Sequence, residues 1–450
     1  MLANRRRFFQ TAMSLGVASA AYPALAGCAS RASGEAATLM SDPDGLLDLP
    51  EGFSYQAISR AGELMSDGLL VPADHDGMGC FPVEGDADRC ILVRNHELSP
   101  DQADEGPYAA GAADEAAIGQ SYARLESGQP QPGGTTTILY NLRTREVESS
   151  HLSLSGTIRN CSGGPTPWGS WLTCEETLET KGRLTDQDHG WVFEVPASET
   201  GKAAPVPLKA MGRFNHEAAA VDPATGIVYL TEDEHDSLFY RFVPNVPGKL
   251  SEDGRLQILA IKGQTKADTR NWKGVTFPAG QSWQVEWLDI ENVEAPEGDL
   301  RFRGHAKGAA LFARGEGLAW AIEPSGGSVY FACTNGGPAK RGQIWKHSPQ
   351  DGTLTLHFES AGEAELDMCD NIVASPWGHI IVCEDGDNDQ YVRGVAPDGR
   401  VYAIARGAHP ARSEFCGACF SPDGKTLFVN MQTPGITFAI TGPWERIAIA

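Results

Sequence analysis

The 450-residue chain is short of positive charge: 36 Lys and Arg stand against 59 Asp and Glu, a formal net charge of −23 at pH 7. A nucleic-acid binder needs a basic face for phosphates, so that class is excluded. No long heptad pattern is present, which disfavours extended helices and coiled coils. The one conspicuous apolar run, Thr11 to Ala26, is too short for a convincing membrane span. "CGAC", Cys416 to Cys419, has no second cysteine pair near it, so a zinc site there is not expected. "DGDND", Asp385 to Asp389, lacks the glycine and terminal Glu of an EF-hand loop. No Ser-His-Asp arrangement is readable from spacing, which argues against a protein nucleophile.

What is abundant points the other way. The 51 Gly, 28 Pro and 10 Trp suit many short strands joined by turns. This length can bury a large core, and all-β propellers and barrels often reach it as one domain. At the N-terminus, "NRRRFFQ" sets Arg5 and Arg6 ahead of Phe8, Phe9 and the apolar run, and resembles a twin-arginine export signal. "LAGC", Leu25 to Cys28, resembles a lipobox, which would make Cys28 the lipidated first residue of the mature chain; a cleaved soluble signal is the alternative. The expected layout is a signal over 1–27, a polar tether over 28–48 and the folded domain over 49–450. The expected partners are the twin-arginine translocase during export and a membrane through Cys28, with the protein otherwise a monomer.

A short pattern recurs: a turn, four to six apolar or β-branched residues, then polar ligand types. It reads "DRCILVRNHE", "WGSWLTCEE", "TGIVYLTEDE", "GGSVYFACTN", "WGHIIVCEDG" and "DGKTLFVNMQ". The last three copies recur at roughly 50-residue spacing, the size of a propeller blade. Most follow another short strand, which makes hairpins. Six copies predict an all-β, six-bladed β-propeller with inserted loops and short helices, the insertions falling at about 99–132 and 245–303.

Equivalent strand ends of a propeller share one axis. One set of endings is Asn95, His96 and Glu97; Cys174, Glu175 and Glu176; Glu232, Asp233 and Glu234; and Glu384 with Asp385. A second set precedes the first strands: His216 and Glu217, Glu316, Asp370 and Asn371, and Glu414. So many converging carboxylates repel one another unless cations neutralise them. Oxygen ligands suit calcium or magnesium, whereas a thiolate calls for a transition metal such as iron or zinc. Cys174 is the natural candidate for the softer site, but its spacing from Cys161 also allows a hairpin disulfide, as for Cys80/Cys90 and Cys369/Cys383.

"NCSGGPTPWGSWLTCEE", "GRFNHEA", "RGEG", "CDN" and "EFCGACFSPDGKTLFVNMQTPG", behind a twin-arginine signal, resemble the PhoX-type alkaline phosphatase family across most of residues 50–450. The resemblance implies an exported phosphomonoesterase on a six-bladed propeller. It also implies ferric iron (Fe3+) and calcium (Ca2+) around a bridging oxide, with one cysteine ligand to iron. Carried onto this chain, it makes Cys174 that ligand and gives Glu217 and Glu316 to iron or calcium. Glu97, Glu175, Glu384 and Asp385 fall where other metal ligands are expected, and Arg314 would touch the phosphate of a small phosphate-ester substrate. Two other classes remain open. One is a calcium-dependent ester or lactone hydrolase with His96 or His216 as base. The other is a lipid-anchored binding propeller without catalysis.

Overall fold

The recurring segments fold as antiparallel strands, because each alternates buried and outward residues between Gly- and Pro-rich turns. The computed structural model describes residues 38–109, 118–198, 200–324 and 326–449, which belong to one compact unit, Gly34–Ala450. The expected export signal and lipidated Cys28 lie outside the described residues.

Five sheets form among them. Two are four-stranded: His75–Val83 through Glu146–Thr157, and Phe415–Phe420 through Ile436–Thr441 with Ser54–Arg60 added at the outer edge. That last strand joins the beginning of the domain to its end. Asn160–Pro165, Ser170–Glu175 and Val192–Pro196 make a three-stranded sheet. A six-stranded sheet begins at Cys369–Ala374 and ends on Leu47–Pro50 and Leu39–Met40. The segment from residue 38 is therefore part of the fold rather than tether. Its apolar "LLDLP" supplies a strand between Val401–Gly407 and the edge strand Leu39–Met40, and Asp42 accepts backbone hydrogen bonds from Leu46 and Leu47 and one from the Tyr55 hydroxyl.

The remaining sheet has nine strands and departs from six equal blades. Ser282–Asp289, inside the predicted 245–303 insertion, pairs with Gly254–Ile261 on one side and Thr353–Glu359 on the other. It thereby fuses two four-stranded runs into one ladder, His216–Val221 to Gly254–Ile261 and Gly315–Glu323 to Thr353–Glu359. The same insertion ends in a short helix, Leu300–Lys307. Hydrogen bonding thus gives an all-β, propeller-like arrangement with the sheets grouped unequally.

Six strands begin these units and pack side by side in a closed circuit: His75–Val83, Asn160–Pro165, His216–Val221, Gly315–Glu323, Cys369–Ala374 and Phe415–Phe420. All six line one axial cavity of about 260 Å³. Their backbones approach closely where side chains are small. A Cβ on Gly77 would stand 2.7 Å from Ser162 Cα, and one on Gly317 would stand 2.6 Å from Ile372 N. Between the sheets lie apolar clusters, including Leu172, Cys174, Val192, Met211 and Phe214 in one and Phe239, Phe312, Phe331 and Trp345 in another. Fully burying each such large apolar side chain contributes about 1.5–3 kcal/mol.

Candidate metal centre

The circuit of innermost strands carries one repeated device at its start. In each, the ladder skips a residue near its start, after the first pair in five strands and after the second in Phe415–Phe420, so two residues oppose one on the neighbouring strand. Such a bulge re-aims the side chain of the extra residue. In five strands the first bulged residue is Asp76, Cys161, Glu217, Glu316 or Asp370. In the sixth, Gly417 falls at the bulge and Glu414 just before the strand carries the polar group. A second device precedes the bulge. Asp74, Arg159, Arg314, Met368 and Arg412 have φ between 41° and 55°, each two residues before Asp76, Cys161, Glu316, Asp370 and Glu414 respectively. Left-handed backbone at a non-glycine residue costs on the order of 1 kcal/mol, so its recurrence marks a constrained approach to the axis.

The outcome is an arc of four overlapping groups whose ligand atoms lie within 4.8 Å of one another. They are Asp76, Glu97 and Cys161; Cys161, Glu176 and Glu217; Glu217, Glu316 and Asp370; and Asp370, Asp385 and Glu414. Cys161, Glu217 and Asp370 are each shared by two groups. The Cys161 thiol lies 3.4 Å from Glu217 Oε1 and 3.8 Å from Asp76 Oδ2. Asp76 Oδ1 and Glu217 Oε2 are buried with no hydrogen-bond partner. Orphaned acceptors of this kind are costly in a protein interior unless a cation faces them.

Electrostatics say the same. Burial, followed by neighbouring carboxylates, pushes Asp76, Glu217, Glu316 and Glu414 well above the carboxylate range. Glu97 is raised to about 8 and Asp370 to about 7, burial again being the largest cause. The Cys161 thiol is pushed up by burial and then by Asp76 and Glu217. Two arginines flank the arc. Arg159 contacts Glu97 at 2.9 Å and also Glu176, and Arg314 contacts Asp233 at 2.7 Å and Glu316 at 2.9 Å. Burial opposes the charge of both guanidiniums, but these carboxylates outweigh it and hold their pKa up.

Of the residues singled out from sequence, the structure brings Glu97, Glu176, Glu217, Glu316, Asp370, Asp385 and Glu414 into the arc, with Arg314 beside it. Cys174, Glu175 and Glu384 are not brought there, and the reason is common to all three. They lie within the ladders of second strands, whereas Glu97, Glu176 and Asp385, one residue past the ends of such strands, reach the arc. Cys174 is fully buried in an apolar cluster with Leu172, Val192 and Met211. Glu175 Oε1 accepts from Ile158 N and His189 Nδ1, and Oε2 accepts from Gly190 N and Trp191 N. Glu384 Oε1 accepts from Arg393 Nε and Asp367 N. The cysteines considered for hairpin disulfides are all free thiols.

Asp76 and Cys161 were not picked out as ligands. Their signal is an acidic or thiol residue followed by a small one at the start of each first strand, in "HDG", "NCS", "HEA", "GEG" and "CDN". His96 and His216 are held by structural partners. His96 contacts Ala73 O and Thr136 Oγ1 at 2.9 Å each, while His216 Nε2 contacts Gly212 O and its ring stacks on Phe214 at 3.6 Å.

Fold and site define a class: an all-β, propeller-like protein whose axis gathers carboxylates and one thiol in the manner of a metal-dependent hydrolase. The profile of the alkaline phosphatase PhoX family matches residues 35–435, and the chain belongs to that family of phosphoester hydrolases. Among solved structures it is similar to Pseudomonas fluorescens PhoX in complex with vanadate, a transition-state analogue, at 18% identity and a TM-score of 0.65. That match covers 91% of this chain and 97% of the other. A Xanthomonas campestris gluconolactonase aligns at 12% identity and a TM-score of 0.41, covering 92% of this chain and 99% of that one. A periplasmic gluconolactonase of Pseudomonas aeruginosa aligns at 13% and 0.40, covering 84% and 89%. No curated protein matches the chain by sequence.

Proposed function

We propose that this protein is an exported phosphomonoesterase whose axial arc holds iron and calcium ions on a six-bladed propeller. The observation that carries the reading is the arc of four overlapping ligand groups in a member of the PhoX family. The donor set fits such ions. Cys161 is the one soft donor of these groups among the described residues, and with Glu176 and Glu217 it suits ferric iron; the oxygen-only group of Asp370, Asp385 and Glu414 suits calcium. When bound, the ions supply Lewis acidity toward phosphoryl oxygens and lower the pKa of water. They also explain how a chain of charge −23 attracts an anion.

The protein's own groups do the rest. Arg314 keeps 23% of its side chain exposed at the rim, where its planar fork can pair a phosphoryl oxygen while Asp233 orients it. Arg159 supplies a second cation at the far end of the arc, and Gln432 Nε2 donates to both Asp76 and Glu97. The innermost strands sustain the geometry because their bulges are fixed by close packing around the axis. Export through the twin-arginine translocase, with Cys28 as a lipid anchor, belongs to the same proposal. The test is hydrolysis of p-nitrophenyl phosphate by the purified, metal-loaded protein, alongside elemental analysis. Release of p-nitrophenol that is lost on chelation, with iron and calcium both bound, supports the reading; a loaded protein without activity sinks it.

A further inference from the structure

A polar pocket of about 660 Å³, lined by residues next in sequence to ligands of the arc, is left unused by the chemistry above. It lies over the six-stranded sheet, at the strand ends that carry the ligands. Glu384 in its wall directly precedes Asp385, and Arg412 lies two residues before Glu414. Its volume is in the usual range for a small-molecule site.

Glu384 is the unusual member. Its side chain is fully buried, Oε1 takes Arg393 and the Asp367 amide, and Oε2 is buried with no partner. None of the converging ligand groups among the described residues includes it. A bare buried acceptor beside a pocket calls for a donor from whatever fills that pocket. The rest of the lining mixes both hydrogen-bonding senses: Asp389 accepts, Asn388 does both, and Arg412 donates. Tyr391 adds an aromatic ring, with the Arg393 guanidinium 4.1 Å above its centroid. The loop carrying Asn388 and Asp389 is tied from within, since Gln390 Nε2 donates to Gly386 O and Asn388 O.

We propose that this pocket receives the leaving alcohol of the substrate, and that the alcohol is a sugar or other polyol. The inference rests on the phosphatase reading, because it places the phosphate end on the arc. A hydroxyl group donates and accepts at once, so several hydroxyls satisfy carboxylates and guanidiniums together. An additional anionic group would meet four carboxylates, Glu363, Asp367, Glu384 and Asp389, against Arg412 and an Arg393 already committed to Glu384. An apolar leaving group would cover the carboxylates without pairing them.

The test compares kcat/KM for glucose 6-phosphate and p-nitrophenyl phosphate in the metal-loaded full chain and in its Asn388→Ala and Asp389→Ala variants. Both positions lie on an exposed loop, so the variants should fold. The ratio of sugar phosphate to aryl phosphate is expected to fall about tenfold in each, the effect of losing a hydrogen bond to substrate. A ratio unchanged in both variants overturns the proposal. So does a wild type that cleaves the aryl ester and not the sugar phosphate, and in that case the phosphatase reading survives. If neither ester is cleaved, that reading falls and calorimetry with sorbitol decides the pocket. Binding weakened in both variants supports it, and no binding to the wild type overturns it.

Discussion

Cys161 and Cys174 stand on neighbouring strands of one sheet, each beside a carboxylate, and their surroundings could hardly differ more. The ladder pairs Asn160 with Glu175 and then Gly163 with Thr173, so Cys161 and Ser162 together oppose Cys174. In a regular ladder the two thiols would share a face of the sheet. The bulge breaks that symmetry: Cys161 is turned to the axis among Asp76, Glu176 and Glu217, while Cys174 stays in the apolar layer. The same contrast separates Glu217, with an orphaned oxygen facing other carboxylates, from Glu175, whose oxygens take four donors. One kind of strand end builds a site that needs ions, and the other anchors a loop.

The sharpest way to break this comparison is the same substitution at both cysteines. Cys161→Ala is expected to remove bound iron and lower kcat/KM at least about 1,000-fold, since it deletes the soft donor of a metal site. Cys174→Ala is expected to keep iron and activity. Elemental analysis and kinetics on both proteins check this, and iron retained only in the Cys161 variant would invert the assignment.

A smaller effect separates the carboxylates by pH in the metal-free protein. Glu97 is raised from 4.5 to about 8, with burial the largest cause. Below about pH 4.5 both folded and unfolded chains hold the proton, and the group costs nothing. Above it the unfolded chain ionises first, so stability falls until the folded group ionises near 8. By pH 7 the loss is on the order of 3 kcal/mol. The Tm of chelator-treated protein should therefore drop between pH 5 and 8, and the metal-loaded protein should lack that slope. Glu175→Gln bears on the other side. Its new NH2 would confront backbone donors, costing about 2–3 kcal/mol at any of these pH values without loss of metal. Thermal unfolding of both metal-loaded proteins measures it.

Much of this was legible in the chain and some was not, for a definite physical reason. Turn residues and apolar runs located most first and second strands of the hairpins, because those signals are local, but not outer strands such as Ser54–Arg60, Glu146–Thr157 or Thr353–Glu359. Glu217 and Glu316 were legible because their carboxylates stand at the very start of first strands. Cys161 begins a first strand in the same way, but its segment "NCSGGP" reads as a turn, and Cys174 at a polar strand end drew the soft-ligand assignment instead. Cys174, Glu175 and Glu384 had the right chemistry one or two residues too early, because the sequence does not show where the ladder of a second strand ends and the next residue turns to the axis. The fused nine-stranded sheet was hidden likewise, because Ser282–Asp289 finds its partners on both sides only after folding.

The smallest expected effect tests the quieter half of the comparison. Cys174 is fully buried against Leu172, Val192, Met211 and Phe214, so its sulfur serves as packing volume. Burial, and then the charge of Glu217, also pushes its thiol well up, which keeps it protonated and unreactive. Cys174→Ala removes one heavy atom from that layer and should cost about 1 kcal/mol, a Tm decrease of about 1–3 °C. Cys174→Ser keeps the volume but buries a hydroxyl among apolar side chains, so it should cost more than the alanine variant. A thiol that bound metal would give the reverse order, because serine can still offer an oxygen to an ion and alanine cannot. Thermal unfolding of the two variants, each metal-loaded, therefore distinguishes a packing cysteine from a ligand by sign.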